Sequence, residues 1–241
     1  MTWHHNLWSS NDSRNPRLGD NYGKPPFPLF DVRNNVIYNY GSTASGLTQG
    51  TFNANYVGNY LKAGPDSKAK TPINANGKSD LKFFVAGNYF AAKPQLAGEG
   101  LFKQLSNDDG QKIVTVVDKP FDTLPVKTTS AEEAYKDVMA GVGAIKPKRD
   151  SVDAAIINGV ETGTGKFLNS QTEVGGWPEL KSTPAPQDTD HDGIPDAWET
   201  QHKLNPNDPA DGKLTTLSAE GYTNLEMYLN ELADDHVVFK P

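Results

Sequence analysis

A repeated asparagine pattern is the feature of this sequence that most restricts its fold. Four short segments each place an apolar or aromatic approach before an asparagine and apolar or aromatic residues after it. They span residues 2–8, 31–38, 54–61 and 83–90. The anchoring residues, at intervals of 29, 24 and 29 positions, are Asn6, Asn35, Asn59 and Asn88. A period of about 20–30 residues is typical of stacked supersecondary units.

These segments have the composition of short strands, because they are rich in β-branched and aromatic residues and are bounded by Gly, Pro, Asn and Ser. Asparagine suits a sharp bend between strands, since it tolerates left-handed backbone angles and its amide bonds nearby backbone groups. Stacked at one corner of successive coils, the four side chains would form a hydrogen-bonded ladder. The alternative is that they mark four unrelated hairpin turns. The near-constant period favours a coil with three short strands per turn.

Composition excludes several classes of function. The formal net charge of −7 leaves no basic surface for a nucleic-acid backbone. No apolar run reaches the length of about 18 residues that spans a membrane, so we expect no membrane partner. The chain has no cysteine, which excludes disulfides, thiolate catalysis and zinc sites built on sulfur. Its 22 glycines and 17 prolines favour an all-β, loop-rich protein.

The amino-terminal residues have neither the charged leading region nor the apolar stretch of a signal peptide. They already belong to the repeat. We therefore expect the chain to be a truncated portion of a longer protein that is monomeric when full-length. A stacked coil with an uncovered end exposes apolar surface, so the portion alone is expected to self-associate.

Two helices are predicted after the coil. The first covers residues 131–139, where Ser130 and Glu133 form a capping box. The second covers residues 150–160, with an apolar face at Val152, Ile156 and Val160. The predicted domain bounds are a coil at 1–128, a helical or irregular segment packed against it at 129–181, and a linker with a metal-binding module at 182–241.

An acidic loop near the carboxyl terminus carries a specific motif. Residues 188–199 read DTDHDGIPDAWE and match every constrained position of the calcium-loop template D-x-D-x-D-G-x5-E. The alternative is an acidic surface turn without metal, but oxygen ligands at this spacing suit Ca²⁺ better than zinc or magnesium. The predicted ligands are the carboxylates of Asp188, Asp190, Asp192, Asp196 and Glu199 and the carbonyl of Ile194.

Three motifs between residues 3 and 40 occur in a specific order: His5-Asn6, the loop Arg14-Asn15-Pro16-Arg17, and Asn34-Asn35-Val36-Ile37-Tyr38. This order resembles the pectate lyases of the pectate/pectin lyase superfamily. Residues 142–165 and 174–178 resemble the carboxyl-terminal region of bacterial members. The resemblance implies an all-β protein: the last rungs of a right-handed parallel β-helix, flanking helices, and a small EF-hand-like or thrombospondin type 3-like carboxyl-terminal module.

The resemblance also implies a secreted polysaccharide lyase that cleaves polygalacturonate, or pectate, by calcium-assisted β-elimination in pectin catabolism. It implies that Arg14 is the catalytic base and that Arg17 binds a substrate carboxylate. In the family the acidic residues that hold the catalytic calcium lie upstream of these motifs, so we expect this chain to lack that site. Without the resemblance, the two arginines would be interpreted as surface partners of Asp12 and Asp20.

Two other functions remain open from sequence alone. One is a non-catalytic, calcium-dependent fragment that binds carbohydrate or mediates adhesion. The other is a dockerin-like interaction module, in which paired calcium loops mediate docking.

Overall fold

The computed structural model describes residues 1–19, 23–47, 50–68, 73–75, 79–92, 102, 110, 112–146, 148–179, 181–233 and 238–240. The chain divides into two compact units, Met1–Pro178 and Glu179–Pro241. Within the described ranges, no helix combines the length and the apolar character needed to cross a membrane.

The first unit is built on three parallel sheets. Their orders are β1-β4-β7-β10-β12, β2-β5-β8-β11 and β3-β6-β9, so successive strands along the chain pass from one sheet to the next. The strands are β1 (Thr2–His4), β2 (Leu7–Ser9), β3 (Arg17–Leu18), β4 (Leu29–Arg33), β5 (Val36–Tyr38), β6 (Ser45–Leu47), β7 (Gly50–Val57), β8 (Tyr60–Lys62), β9 (Ile73–Ala75), β10 (Ser79–Ala86), β11 (Tyr89–Phe90) and β12 (Val114–Val116). This arrangement is compatible with a parallel β-helix.

Strand register repeats the periodicity of the sequence. Val36 lies between Leu7 and Tyr60 in the second sheet, which reproduces the first two intervals between the ladder asparagines. An inward-facing row of aromatic rings crosses the first sheet without following this register, because Phe30 and Phe83 both pair with Ala54 rather than with Phe52. Phe30, Phe52 and Phe83 are in edge-to-face contact, with ring centroids 5.3 and 5.8 Å apart. One ring per coil therefore fills the core along the stacking direction.

The predicted asparagine ladder is confirmed. The side-chain amide of Asn6 donates to the Oδ1 of Asn35 at 2.9 Å, and Asn35 donates to Asn59 at 3.0 Å. Asn59 in turn donates to Asn88 at 2.9 Å. The backbone N–H groups of Asn6, Asn35 and Asn59 donate to the same Oδ1 acceptors. Each interior amide is thus both donor and acceptor, so its burial costs little.

The left-handed residue at each of these corners lies one position before the ladder asparagine. These residues have φ between 51° and 62°: His5, Asn34, Gly58 and Gly87. At each corner one residue bends the backbone, and the next residue, the asparagine, forms the ladder hydrogen bond. The sequence interpretation gave both roles to the asparagine. At the first corner, the bend at His5 places its Nδ1 atom 3.0 Å from the Nδ1 atom of His4.

Two helices belong to the first unit, α1 (Ala131–Gly141) and α2 (Ser151–Thr162). The capping box of α1 is confirmed, because Ser130 and Glu133 bond each other's backbone N–H groups. The face predicted for α2 is partly wrong. Val160 and Ile157 are buried, but Ile156 is 41% exposed. The helix packs against Val36, Tyr38 and Val138, which rotates its buried face by one residue.

The second unit contains α3 (Asp196–His202) and α4 (Asn224–Leu232). Ile194 and Met227 are its buried apolar residues. The ring of His202 stacks on Trp198 and on Phe239, with centroids 4.0 and 5.0 Å apart. With α1 and α2, the described residues contain four α-helices beside the parallel sheets, so the expected all-β class holds only for the sheet-forming part.

Replacing Asn35 with alanine should lower the free energy of unfolding of the first unit by about 2–4 kcal/mol, because the change removes the acceptor of the backbone N–H of Asn6 and the side-chain donor to the buried Oδ1 of Asn59. Urea denaturation followed by far-ultraviolet circular dichroism measures this loss. The matched control is Asn158→Ala, at an exposed position of α2. Equal effects of the two substitutions would contradict a stabilising role for the ladder.

Candidate active site and candidate metal centre

The turn after β2 and the first residue of β3 carry the two arginines identified in the sequence, Arg14 and Arg17. Arg14 has a left-handed backbone, with φ of 66°, and the peptide bond between Asn15 and Pro16 is cis. Arg14 and Arg17 are exposed, whereas the two residues between them are buried. The turn therefore holds its centre against the protein and leaves both guanidinium-bearing side chains at the surface.

Contacts with the next coil fix the backbone of this turn. The N–H of Asn15 donates to the carbonyl of Ala44 at 2.6 Å. The carbonyl of Asn15 accepts from the hydroxyl of Ser45 at 2.9 Å. A Cβ atom at Gly46 would lie 3.0 Å from the Cγ of Arg14. Gly46 thus gives the aliphatic stem of Arg14 room to lie close to the backbone of β6.

The surface alternative for the two arginines was pairing with Asp12 and Asp20. The carboxylate of Asp12 accepts from the hydroxyl of Ser42 at 3.2 Å. Asp20 lies outside the described residues. Among the residues that are described, no carboxylate lies within ion-pair distance of Arg14 or Arg17.

The acidic loop of the second unit is held by its own carboxylates. Asp188 accepts from the N–H groups of His191 at 2.8 Å and Gly193 at 3.1 Å. One oxygen of Asp192 accepts from the N–H of Ile194 at 2.8 Å. Gly193 has φ of 98°, which supplies the sharp turn that the motif predicts. The loop therefore bends its aspartates towards a common centre.

Two groups of carboxylates converge there, each with ligand atoms within 4.8 Å of one another. They are Asp188, Asp190 and Asp192, and Asp192, Glu199 and Asp211. Glu199 is fully buried. The buried oxygens without a hydrogen-bond partner are Asp190 Oδ2, Asp192 Oδ2, both oxygens of Glu199 and Asp211 Oδ1. Burying unpaired carboxylate oxygens is costly, so this donor set fits a hard divalent cation that prefers oxygen ligands.

Asp196 was predicted as a ligand, and both of its carboxylate oxygens accept hydrogen bonds from within the loop. Its two oxygens accept from the N–H and the hydroxyl of Thr189, both at 2.7 Å. These hydrogen bonds lower the pKa of Asp196. Asp196 is a member of neither carboxylate group. Ile194, whose carbonyl was predicted to bind the ion, has its side chain buried in the core of the unit.

Asp211 is a member of the cluster that the motif did not reveal. It follows Glu199 by twelve positions and lies in a short 3₁₀ turn, Asp211–Lys213. A Cβ atom at the adjacent Gly212 would collide with the carboxylate of Asp192, so glycine is required for this close approach. The sequence signal was only an Asp-Gly pair in a segment rich in Asn, Asp and Pro.

Electrostatic repulsion and burial shift the protonation of this cluster. Burial, followed by the charges of Asp190, Asp192 and Asp211, raises the pKa of Glu199 from 4.5 to about 7. Burial is also the largest cause of the raised pKa of Asp192, which the N–H of Ile194 partly offsets. The metal-free cluster therefore tends to keep a proton on Glu199 near neutral pH.

Comparison with known proteins shows similarity over nearly the whole chain. Three relatives named probable pectate lyase C, from Aspergillus flavus, Aspergillus oryzae and Aspergillus terreus, are 32%, 32% and 34% identical to it over 237 residues. The alignments cover 94% of this chain and 52% of each relative. The chain thus spans about half the length of the curated relatives it matches. No family model matches the chain.

In the presence of a chelator, the second unit should become less stable as the pH rises from about 5 to about 8. A carboxyl group with a raised pKa in the folded state stabilises that state while protonated, and this contribution is lost as the pH passes about 7. Thermal unfolding monitored through the methyl resonances of Ile194 and Met227 measures the effect. Glu199→Gln should remove most of the pH dependence, and the exposed control Glu132→Gln should not. A Glu199→Gln variant with the full pH dependence would contradict the assignment.

Proposed function

We infer that this chain belongs to the pectate lyase family, because it matches proteins of that name over 94% of its length, and we propose that its protein is a polysaccharide lyase acting on polygalacturonate. The order of the His-Asn, Arg-x-Pro-Arg and Asn-Asn motifs supports the same assignment. The observation that carries the proposal is the anchored turn that exposes Arg14 and Arg17 on the side of a stack of parallel strands.

The proposed reaction is a β-elimination. A base removes the proton at C5 of a uronate residue, the electron pair forms the C4–C5 double bond, and the bond between C4 and the glycosidic oxygen breaks. The leaving oxygen takes the electron pair and a proton. The products are an unsaturated sugar end and a shortened chain. The barrier lies in forming negative charge beside a carboxylate, so cationic groups near that carboxylate lower it.

We assign the base to Arg14 and the binding of a substrate carboxylate to Arg17. The planar guanidinium fork of arginine matches the geometry of a carboxylate. Arginine accepts a proton only in its neutral guanidine form, which requires desolvation and a neighbouring cation that disfavour the charged form. In this proposal, the bound substrate supplies the desolvation, and the neighbouring Arg17 supplies positive charge.

Calcium that neutralises the substrate carboxylate is part of the activity that the family resemblance implies. Among the described residues, the carboxylate groups able to hold a metal are the two in the second unit. The described surroundings of Arg14 therefore do not fit a catalytic calcium. Arg17 is the cationic group that this chain itself provides for the substrate carboxylate.

The fold proposed for the first unit is the carboxyl-terminal part of a right-handed parallel β-helix, with the rungs in residues 1–128 and the flanking segment in 129–181. Three parallel sheets, a corner ladder and an inward row of aromatic rings support this assignment. Because pectin lies outside cells, the protein is proposed to be secreted, and the complete protein to be a monomer.

Residues 182–241 are proposed to form a linker and an EF-hand-like calcium module with a structural role. The ligands proposed from the motif are Asp188, Asp190, Asp192, Ile194, Asp196 and Glu199. The unpartnered oxygens of Asp190, Asp192 and Glu199 support this assignment. A bound calcium would neutralise the repulsion that otherwise destabilises the cluster.

In the complete protein, Arg14→Gln should reduce the formation of unsaturated product from polygalacturonate in calcium-containing buffer by at least about 100-fold, because it removes the proposed base. Ultraviolet absorbance of the product measures the rate. Lys136→Gln removes the same charge from an exposed position of α1 and should retain activity. Arg17→Gln should raise KM and weaken retention of the protein in a polygalacturonate affinity gel.

The same assays distinguish a lyase from a non-catalytic carbohydrate-binding fragment. Retention in the gel without product, weakened by Arg17→Gln, would favour a non-catalytic carbohydrate-binding role. Neither retention nor product would contradict the proposed function.

Isothermal titration of the full chain with calcium should show binding that Glu199→Gln weakens at least about tenfold, because Glu199 contributes two unpartnered oxygens. The exposed Glu220→Gln is the matched control and should retain wild-type affinity. If the wild-type chain binds no calcium, the proposed module is wrong.

A further inference from the structure

Asp211 is a buried acidic residue outside the predicted calcium loop. Asp211 is only 7% exposed, and its two carboxylate oxygens have different surroundings. Oδ2 accepts from the backbone N–H of Asn205 at 2.9 Å. Oδ1 is buried without a partner. A carboxylate that is half satisfied in this way requires a further positively polarised group at Oδ1.

Two other carboxylates, those of Asp192 and Glu199, lie close to the carboxylate of Asp211. Asp211, Asp192 and Glu199 each offer a carboxylate oxygen, and these atoms lie within 4.8 Å of one another. Glu199 is fully buried, and neither of its oxygens has a partner. Lys, Arg or His side chains form no described ion pair with these three residues. A cation is therefore the missing partner.

We propose that Asp211 is a further ligand of the cation held by the acidic loop, so that one ion joins two separate segments of the second unit. This inference rests on the proposed calcium module and adds a ligand to it. Calcium–oxygen distances are about 2.3–2.6 Å, so ligands on opposite sides of one ion lie about 4.6–5.2 Å apart. Asp192 belongs to both carboxylate groups, so an ion bound by Asp192 is within reach of a ligand from each group.

The position of Asp211 extends the effect of the ion beyond the loop. The carbonyl of Asp211 accepts from the side-chain amide of the buried Asn224 at 2.8 Å. The N–H of Asn224 donates to the carbonyl of Leu214 at 2.7 Å. Asn224 is the first residue of α4. A ligand at Asp211 consequently couples the ion to the start of α4 through two hydrogen bonds of Asn224.

Calcium titration of residues 1–241 carrying Asp211→Asn tests this proposal. Isothermal titration should show one calcium per chain for the wild type and a Kd at least about tenfold higher for the variant. The matched control is Asp208→Asn, which removes the same charge three positions away at an exposed site and should keep the wild-type Kd within about twofold. Equal Kd values for the two variants would overturn the role of Asp211, as would binding of two ions per wild-type chain.

A measurement on the wild-type chain removes any dependence on how the variant folds. Calcium addition should shift the NMR resonances of the Asn205 backbone amide and the Asn224 side-chain amide, because both groups bond Asp211. The amides of His191 and Gly193, which bond Asp188, report on the loop itself. Shifts at the loop amides alone would overturn the role of Asp211 and leave the calcium module intact. An unchanged spectrum would overturn the module as well.

Discussion

The asparagine ladder is the interaction on which the first unit depends. Each interior side chain donates to the next coil and accepts from the previous one, so the corner repeats only if the coils are in register. That register places β3 beside β6 and sets the turn at residues 14–17 against Ala44, Ser45 and Gly46. The asparagine ladder thus sets the register of the coils, and this register sets the backbone contacts that position the exposed arginines.

The two units deal with buried polar side chains in opposite ways. An asparagine carries both donors and an acceptor, so a stack of identical amides satisfies itself without any added group. An ionised carboxylate only accepts, so a cluster of carboxylates remains unsatisfied and self-repelling until a cation enters. The ladder is thus complete in the chain itself, whereas the acidic centre is complete only with an ion, and burial raises the pKa of Glu199 in its absence.

Local rules explain which features could be predicted from the sequence. The repeat, the ladder and the capping box at Ser130 depend on side chains that act on nearby backbone or on their own counterparts one coil away. The errors occur where tertiary contacts decide. The buried face of α2 turned from Ile156 to Ile157 because its neighbours in the first unit set the helix rotation. Asp211 joined the acidic cluster through chain folding after Glu199, which a contiguous motif does not encode.

The two units differ in net charge as well as in how they satisfy buried polar side chains. Residues 1–178 carry 19 Lys and Arg against 17 Asp and Glu, whereas residues 179–241 carry 4 against 13. The negative net charge of the chain therefore arises in the second unit. The polyanionic substrate proposed for Arg14 and Arg17 would meet a unit whose own charges nearly balance, so the exposed cationic side chains would dominate the local potential. The second unit differs, because its excess of carboxylates repels itself unless a cation is bound among them.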